Sequence, residues 1–416
     1  MIYFVSPSGN DGSAGTIDAP WKTVENSVNR LSAGDILYIR GGEYVLTQAV
    51  LLQKSGTQDK PIVYSAFEDE KPVFDAAGIN FYAERDKYSF GVETGAIFVY
   101  LAEHIQIRGV HVKNSTGHGI AVRDSNNIII DGCTVENTFC CGISLWDTKS
   151  TRTICHNNKI IGNTVIKATT WDMLPEGMKR GNEPPHEAIS IAGACYFEVA
   201  YNHVYNCDKE GIDVKEVSHH GSVHHNHVHH VDRQGLYADA WFGPLAHVDF
   251  HDNIVHDCKG AGIVIAVEQG ECVSDVRLYG NTVYDNWGTG ILFGIFGADN
   301  IRYNIDVFNN VIKRNGHGDP NADYGNGYFW ITGGLCLLSS QMTDCRIYNN
   351  IFEGNKGFDI GYSSRYCADG QDIASALSEK RIEIRDNLII NSVVPSPNYP
   401  ITTNYENSIL YALDVY

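Results

Sequence analysis

The feature that most constrains this chain is a repeat. Between Glu210 and Glu268 the sequence runs three times through one unit: a small residue and an aliphatic one, an alternating segment, a turn, then an Asn before the next apolar pair. Gly211, Gly235 and Gly262 fall 24 and 27 residues apart, and Asn202, Asn226, Asn253 and Asn281 follow at 24, 27 and 28. Units of that size are too small to bury a core alone, so they must stack on one another. Strands that alternate, with Asn or Gly at the corners, predict an all-β parallel β-helix, because each turn places equivalent residues over the coil below. The recurring Asn163, Asn202, Asn226, Asn253, Asn281, Asn310, Asn350 and Asn387 read as an asparagine ladder, in which amides at one corner bond each other and the turn backbone.

The repeat can be followed from about residue 96, and the whole chain, 1–416, is expected to form one β-helix domain: 1–50 as an N-terminal cap and first strands, 51–395 as coils, and 396–416 as a tail. Three segments break the period and predict long loop insertions: 168–186, 314–332 and 362–380. Long loops on a regular rod commonly wall a binding groove.

At the start, residues 2–6 alternate like a strand, and Trp21, Val24, Val28 and Leu31 follow at helical spacing up to Gly34. A strand and amphipathic helix of this kind resemble the N-terminal cap of many right-handed parallel β-helix carbohydrate enzymes. The resemblance implies the same handedness here. Such a cap covers what would otherwise be an open sheet edge.

The formal charge of −19 argues against nucleic acid, which requires a basic face. No apolar run approaches the roughly 18 residues of a membrane span. The opening MIYFVSPSGNDGS lacks the regions of a secretion leader, and 11 cysteines, an odd number, suit a reducing compartment. The expectation is a cytoplasmic chain, or one from which a leader has been removed, with its cysteines acting as small buried hydrophobes. Cys140 and Cys141 are adjacent and make no CxxC motif.

Counting from the small residue of each unit separates inward from outward side chains. The inward rows are apolar: Ile143, Ile189, Ile212, Leu236, Ile263 and Ile291, then Leu145, Ile191, Val214, Ala238, Ile265 and Phe293. The outward row carries Trp146, Asp213, Lys215, Tyr237 and Asp239, with Glu187 just before its strand, Glu268 just after, and Trp241 close by. With coils about 4.8 Å apart, Lys215 and Asp239 should be stacked neighbours, and Glu268 should lie one coil on and two residues along. Carboxylates between aromatic faces suit a sugar ring. A solvated face with salt bridges would read similarly but would not require the aromatics.

Two carboxylates can hydrolyse a glycosidic bond, one protonated to help the leaving oxygen, the other ionised. Asp239, beside Lys215, should stay ionised; Glu268, after the apolar run IVIAV, should have the drier setting and serve as proton donor. GLYADAW followed by GIVIAVEQG resembles paired motifs of the β-helical β-xylosidases of glycoside hydrolase family 120. Carried over, that resemblance implies Asp239 as nucleophile and Glu268 as acid; the β-sandwich insertion of those enzymes is not evident here. EGIDVKEVSHHGSVHHN is also similar to a segment of β-helical alginate and chondroitin lyases. That resemblance implies Lys215 as the base that removes a proton α to a uronate, with Glu187 or Glu210 assisting and a calcium ion nearby. The lyases place an Arg in the following coil, where this chain has Tyr237 and Asp239.

The histidines of HHGSVHHNHVHH follow strand and corner spacing, which disfavours a compact metal set. His219 and His186 are expected to border the sugar pocket. The expectation is therefore an oligosaccharide substrate, with no cofactor, metal, nucleic acid or membrane partner. The competing non-enzymatic reading is a carbohydrate-binding solenoid, which would not need Asp239 and Glu268 to meet.

Overall fold

The structure, a computed structural model, describes residues 1–81, 90–147, 155–173, 185–297, 299–318, 331–391 and the backbone of 401–405 and 408–413. The chain divides into two compact units, Met1–Lys209 and Glu210–Tyr416. Both are right-handed parallel β-helix, in which successive coils each lay one strand on each of three parallel sheets.

In the first unit the cap forms as expected. Ile2–Val5 pairs in parallel with Ile36–Ile39, and the helical spacing becomes a short α-helix, Val24–Ser27, continued as a 3-10 turn, Val28–Arg30. Trp21, Val24, Val28 and Leu31 are all buried. Further along, Ile120, Ile143 and Ile189 lie in register on successive coils of one sheet, and all three are fully buried.

In the second unit one sheet contains Ile212–Lys215, Leu236–Ala240, Ile263–Val267 and Ile291–Gly294. Ile212, Leu236, Ile263 and Ile291 stack in register. The segment 362–380, expected as an insertion, contains the end of the strand Ile360–Ser363 and a helix, Ile373–Glu379, whose N-terminus Asp372 caps by accepting from Ser375 N at 3.0 Å. The other two insertions lie in large part outside the described residues, at 174–184 and 319–330.

The asparagine ladder is present within each unit. Asn163 Nδ2 donates to Asn202 Oδ1 at 3.0 Å in the first. In the second, Asn226, Asn253, Asn281, Asn310, Asn350 and Asn387 bond in unbroken sequence. The residue before each of these six has a left-handed backbone: His225, Asp252, Gly280, Asn309, Asn349 and Asp386. Gly and the short polar residues tolerate that conformation best, so a sequence of left-handed residue followed by Asn turns the corner identically on every coil. A second ladder, unforeseen from the repeat, joins Asn286, Asn315 and Asn355 at another corner.

Nine of the 11 cysteines are buried and all are thiols. Among the described residues, no helix is long and apolar enough to cross a membrane.

Candidate active site

The register of the second unit matches the count made from the sequence. Asp213 pairs with Tyr237 and Lys215 with Asp239, while Asp239 pairs with Ala266, so Glu268 lies one coil on and two residues along. The expected solvent-facing patch is not what forms, however. Asp213, Lys215, Tyr237 and Asp239 are each at most 4% exposed. Tyr237, Val264, Ala266, Leu292 and Cys336 form an apolar layer on the outer face of the sheet, with Ile331, Ile295 and Phe296 packed against it. Phe296 meets Tyr237 edge-on at 5.7 Å. This cover comes from segments beyond the strands, and the alternating pattern carries no information about them.

Beneath the cover the charges converge. Lys215 Nζ lies 3.4 Å from Asp213 Oδ2 and 5.4 Å from the Trp241 ring centre. The Tyr237 hydroxyl donates to Glu268 Oε1 at 2.8 Å. Burial pushes the Tyr237 phenol well above its ordinary range, and the charges of Asp239 and Glu268 push it the same way. A phenol so placed stays protonated and remains a fixed donor between two carboxylates. The dryness expected for the two acids is reversed: Asp239 is buried and Glu268 only half-buried.

Arg302, missed in the sequence, is fully buried nearby and donates to Asp299, Asn300 O, Ser339 and Gly294 O. Burial lowers the Arg302 pKa from its ordinary value, and the neighbouring Asp299 opposes that. Gly297 packs directly on the backbone of Glu268: a methyl group there would sit 2.4 Å from the Glu268 carbonyl oxygen. Gly297→Ala must therefore shift the backbone of residue 297 or that of Glu268. Overpacking against backbone atoms costs about 1–3 kcal/mol, so the unfolding midpoint should fall, and a displacement near 1 Å at Glu268 should lower kcat/KM for the activity proposed below by about 10²-fold. Steady-state kinetics beside a thermal melt checks this.

His219 begins the strand His219–His224 in a neighbouring sheet, with its Nδ1 2.7 Å from His220 Nδ1. Trp146, His186 and Glu187 lie in the first unit. The Trp146 ring is 4.1 Å from His186 and 5.3 Å from His118, with the Arg123 guanidinium 4.8 Å over it. Glu187 accepts from Ser190 Oγ at 2.8 Å.

The same cluster contains Glu93, 2.9 Å from Arg123 and 3.5 Å from His186, a pair absent from the outward row as counted. Burial raises the Glu93 carboxyl, but the hydrogen bond from His186 and the charges of Arg123, His186 and His118 outweigh it and hold the value at about 2. A folded-state pKa below the unfolded one stabilises the fold above the unfolded value, and that contribution disappears as pH falls through the folded value. The window here runs from the ordinary 4.5 down to about 2. Glu93→Gln should flatten the loss of stability over that window, as read from denaturant midpoints at successive pH values.

Comparison with known proteins agrees with this architecture. The family model described as "Pel9A-like, right handed beta helix region" matches residues 3–174, and "Right handed beta helix region" matches 95–273. Pectate lyase PEL9 of Emericella nidulans is 30% identical over 222 residues, covering 47% of this chain and 54% of the relative, so the match spans about half of that protein's length. Among solved structures, XylC in complex with xylose aligns over 96% of this chain and 87% of its own, with TM-score 0.64 and 14% identity. The GH136 lacto-N-biosidase from Eubacterium ramulus aligns over 94% and 68%, with TM-score 0.59 and 13% identity. The chain is a right-handed parallel β-helix protein, built on the fold that these carbohydrate-active proteins share.

Proposed function

We propose that the protein is a glycoside hydrolase acting on a short oligosaccharide or glycoside, with Asp239 and Glu268 as its carboxylate pair. The observation that supports this reading is the Tyr237 hydroxyl, which donates to Glu268 Oε1 at 2.8 Å from the strand Leu236–Ala240 that also carries Asp239. Glu268, half-buried, can regain a proton from water after each cycle and gives it to the leaving oxygen as the C–O bond breaks. Asp239, in register with Lys215, is the carboxylate assigned to the positive charge that develops at the anomeric carbon, and water supplies the hydroxyl that this carbon takes up. Tyr237, locked as a donor, steadies Glu268 between the two steps. Trp241, beside Lys215, offers a ring face on which the CH face of a sugar can stack. The shared fold with XylC, solved with xylose, supports a saccharide ligand.

Expected on a panel of aryl glycosides and oligosaccharides is release of new reducing ends by the wild type. No release from any member by the folded protein would overturn the proposal.

A second reading, polysaccharide lyase, draws on Lys215, held between Asp213 and Trp241, and on the 30% identity to a pectate lyase. There Lys215 would remove the proton α to a uronate carboxylate. Elimination creates a conjugated unsaturated uronate that absorbs in the ultraviolet, whereas hydrolysis does not, so one absorbance trace on polyuronates separates the two. The hydrolase reading predicts a flat trace.

A further inference from the structure

Away from the carboxylate pair, the first unit gathers three side chains that neither reading uses. His118, Cys140 and Cys141 are all fully buried, and one imidazole nitrogen and the two sulfurs lie within 4.8 Å of one another. Ser144 Oγ is 2.8 Å from His118 Nδ1, and the His118 ring, whose Nε2 is equally buried, also interacts with the Cys141 thiol. We propose that His118 Nε2, Cys140 Sγ and Cys141 Sγ are the ligands of a buried site for a zinc-type divalent cation.

The chemistry of the donors supports this on four counts. A hydroxyl that takes up Nδ1–H selects the tautomer whose Nε2 bears a lone pair, which is how metal-bound histidines are held by their outer neighbours. Zinc–sulfur and zinc–nitrogen bonds of about 2.3 and 2.0 Å place tetrahedral ligands roughly 3.5–3.8 Å apart, inside the observed limit. Two thiolates and a neutral imidazole balance a divalent charge, so the loaded site brings little uncompensated charge into a dry setting. Finally, sulfur donors favour zinc or cobalt(II) over calcium or magnesium.

A cysteine ligates a metal ion as its thiolate. Binding M²⁺ therefore expels two thiol protons, one from each cysteine, with no change of oxidation state. The site is fully buried. Trp146 packs edge-on to His118 at 5.3 Å, and Cys140 Sγ lies 3.5 Å from Pro185 O. It is distinct from the exposed group His225, His251 and Asp252 in the second unit, which offers no sulfur.

Cobalt(II) reports sulfur ligation directly, through an intense thiolate-to-metal charge-transfer band in the near ultraviolet that imidazole and carboxylate ligands do not produce. Metal-stripped full-length protein, kept reduced with a phosphine, is titrated with cobalt(II) and then with zinc. Expected are a charge-transfer band saturating at one cobalt per chain, its loss when zinc displaces cobalt, and a higher melting temperature with zinc. Cys141→Ser should abolish the band, and Ser144→Ala should weaken affinity about 10–100-fold while keeping it. Absence of the band in the folded wild type, or its persistence in Cys140→Ser with Cys141→Ser, overturns the proposal. Because the wild-type titration decides alone, a variant that fails to fold does not leave the question open.

Discussion

Asp239→Asn is expected to lower kcat by roughly 10³–10⁴-fold, the scale of losing an essential carboxylate, while the fold stays intact. Asn has almost the same shape, and Asp239 lies buried between Ala238 and Ala240 on a strand whose neighbours pair in full register. Only the charge that meets the developing cation is removed. The sugar should still bind, so KM or a product dissociation constant should change little. A variant that retains wild-type turnover on the substrates the wild type cleaves would remove Asp239 from the chemistry. A variant that loses binding and turnover together would assign it to substrate recognition instead. The same variant tests the carbohydrate-binding alternative, which predicts unchanged binding by a wild type with no turnover.

Asn281→Leu is expected to be the most destabilising single change outside the site. Asn281 Nδ2 donates to Phe250 O and Asn310 Oδ1, both at 2.9 Å, while Asn281 Oδ1 accepts from Asn253 N at 3.1 Å and Asn253 Nδ2 at 3.0 Å. The residue is fully buried. A leucine removes the partners of Phe250 O, Asn253 N and one Asn253 Nδ2 proton in a dry corner, each costing on the order of 1–3 kcal/mol, while Asn310 Oδ1 keeps only the backbone N–H of residue 281. The sum should reach about 4 kcal/mol or more, because amides in a chain also polarise one another. In a stacked array the loss falls on one coil interface and splits the solenoid there, so urea unfolding should move to a lower midpoint and broaden. Arg314→Ala serves as the control. The surface pair Arg314–Asp285, at 2.8 Å, should contribute less than about 1 kcal/mol, and an equal loss in both variants would contradict the ladder's role.

Much of this was readable in the sequence because a β-helix is close to one-dimensional. Each coil stacks on the next, so the spacing of Gly211, Gly235 and Gly262 determines which residues pair, and the pairs Lys215 with Asp239 and Asp239 with Ala266 emerge as counted. The asparagine ladder was legible for the same reason, since an amide at a fixed corner must meet its copy one coil below. The second ladder, Asn286, Asn315 and Asn355, has the same spacings as Asn281, Asn310 and Asn350 but went unread because only three rungs carry it, too few to stand out as a repeat.

What the sequence by itself determined was therefore the path of the chain: parallel coils, their register, and two acids on adjacent rungs of one sheet. Tertiary structure alone decided how wet those acids are. Ile295, Phe296 and Ile331, outside the repeat, pack with the apolar layer around Tyr237, and Asp239 is buried while Glu268 is half-open, the reverse of what the apolar run before Glu268 implied. Likewise, the adjacent cysteines read as inert core until the turn that contains them brought both sulfurs to His118. Register follows from a local period of two residues along a strand, repeated coil by coil. Solvent access and ligand convergence depend on contacts between segments far apart in the chain, and no periodicity encodes those.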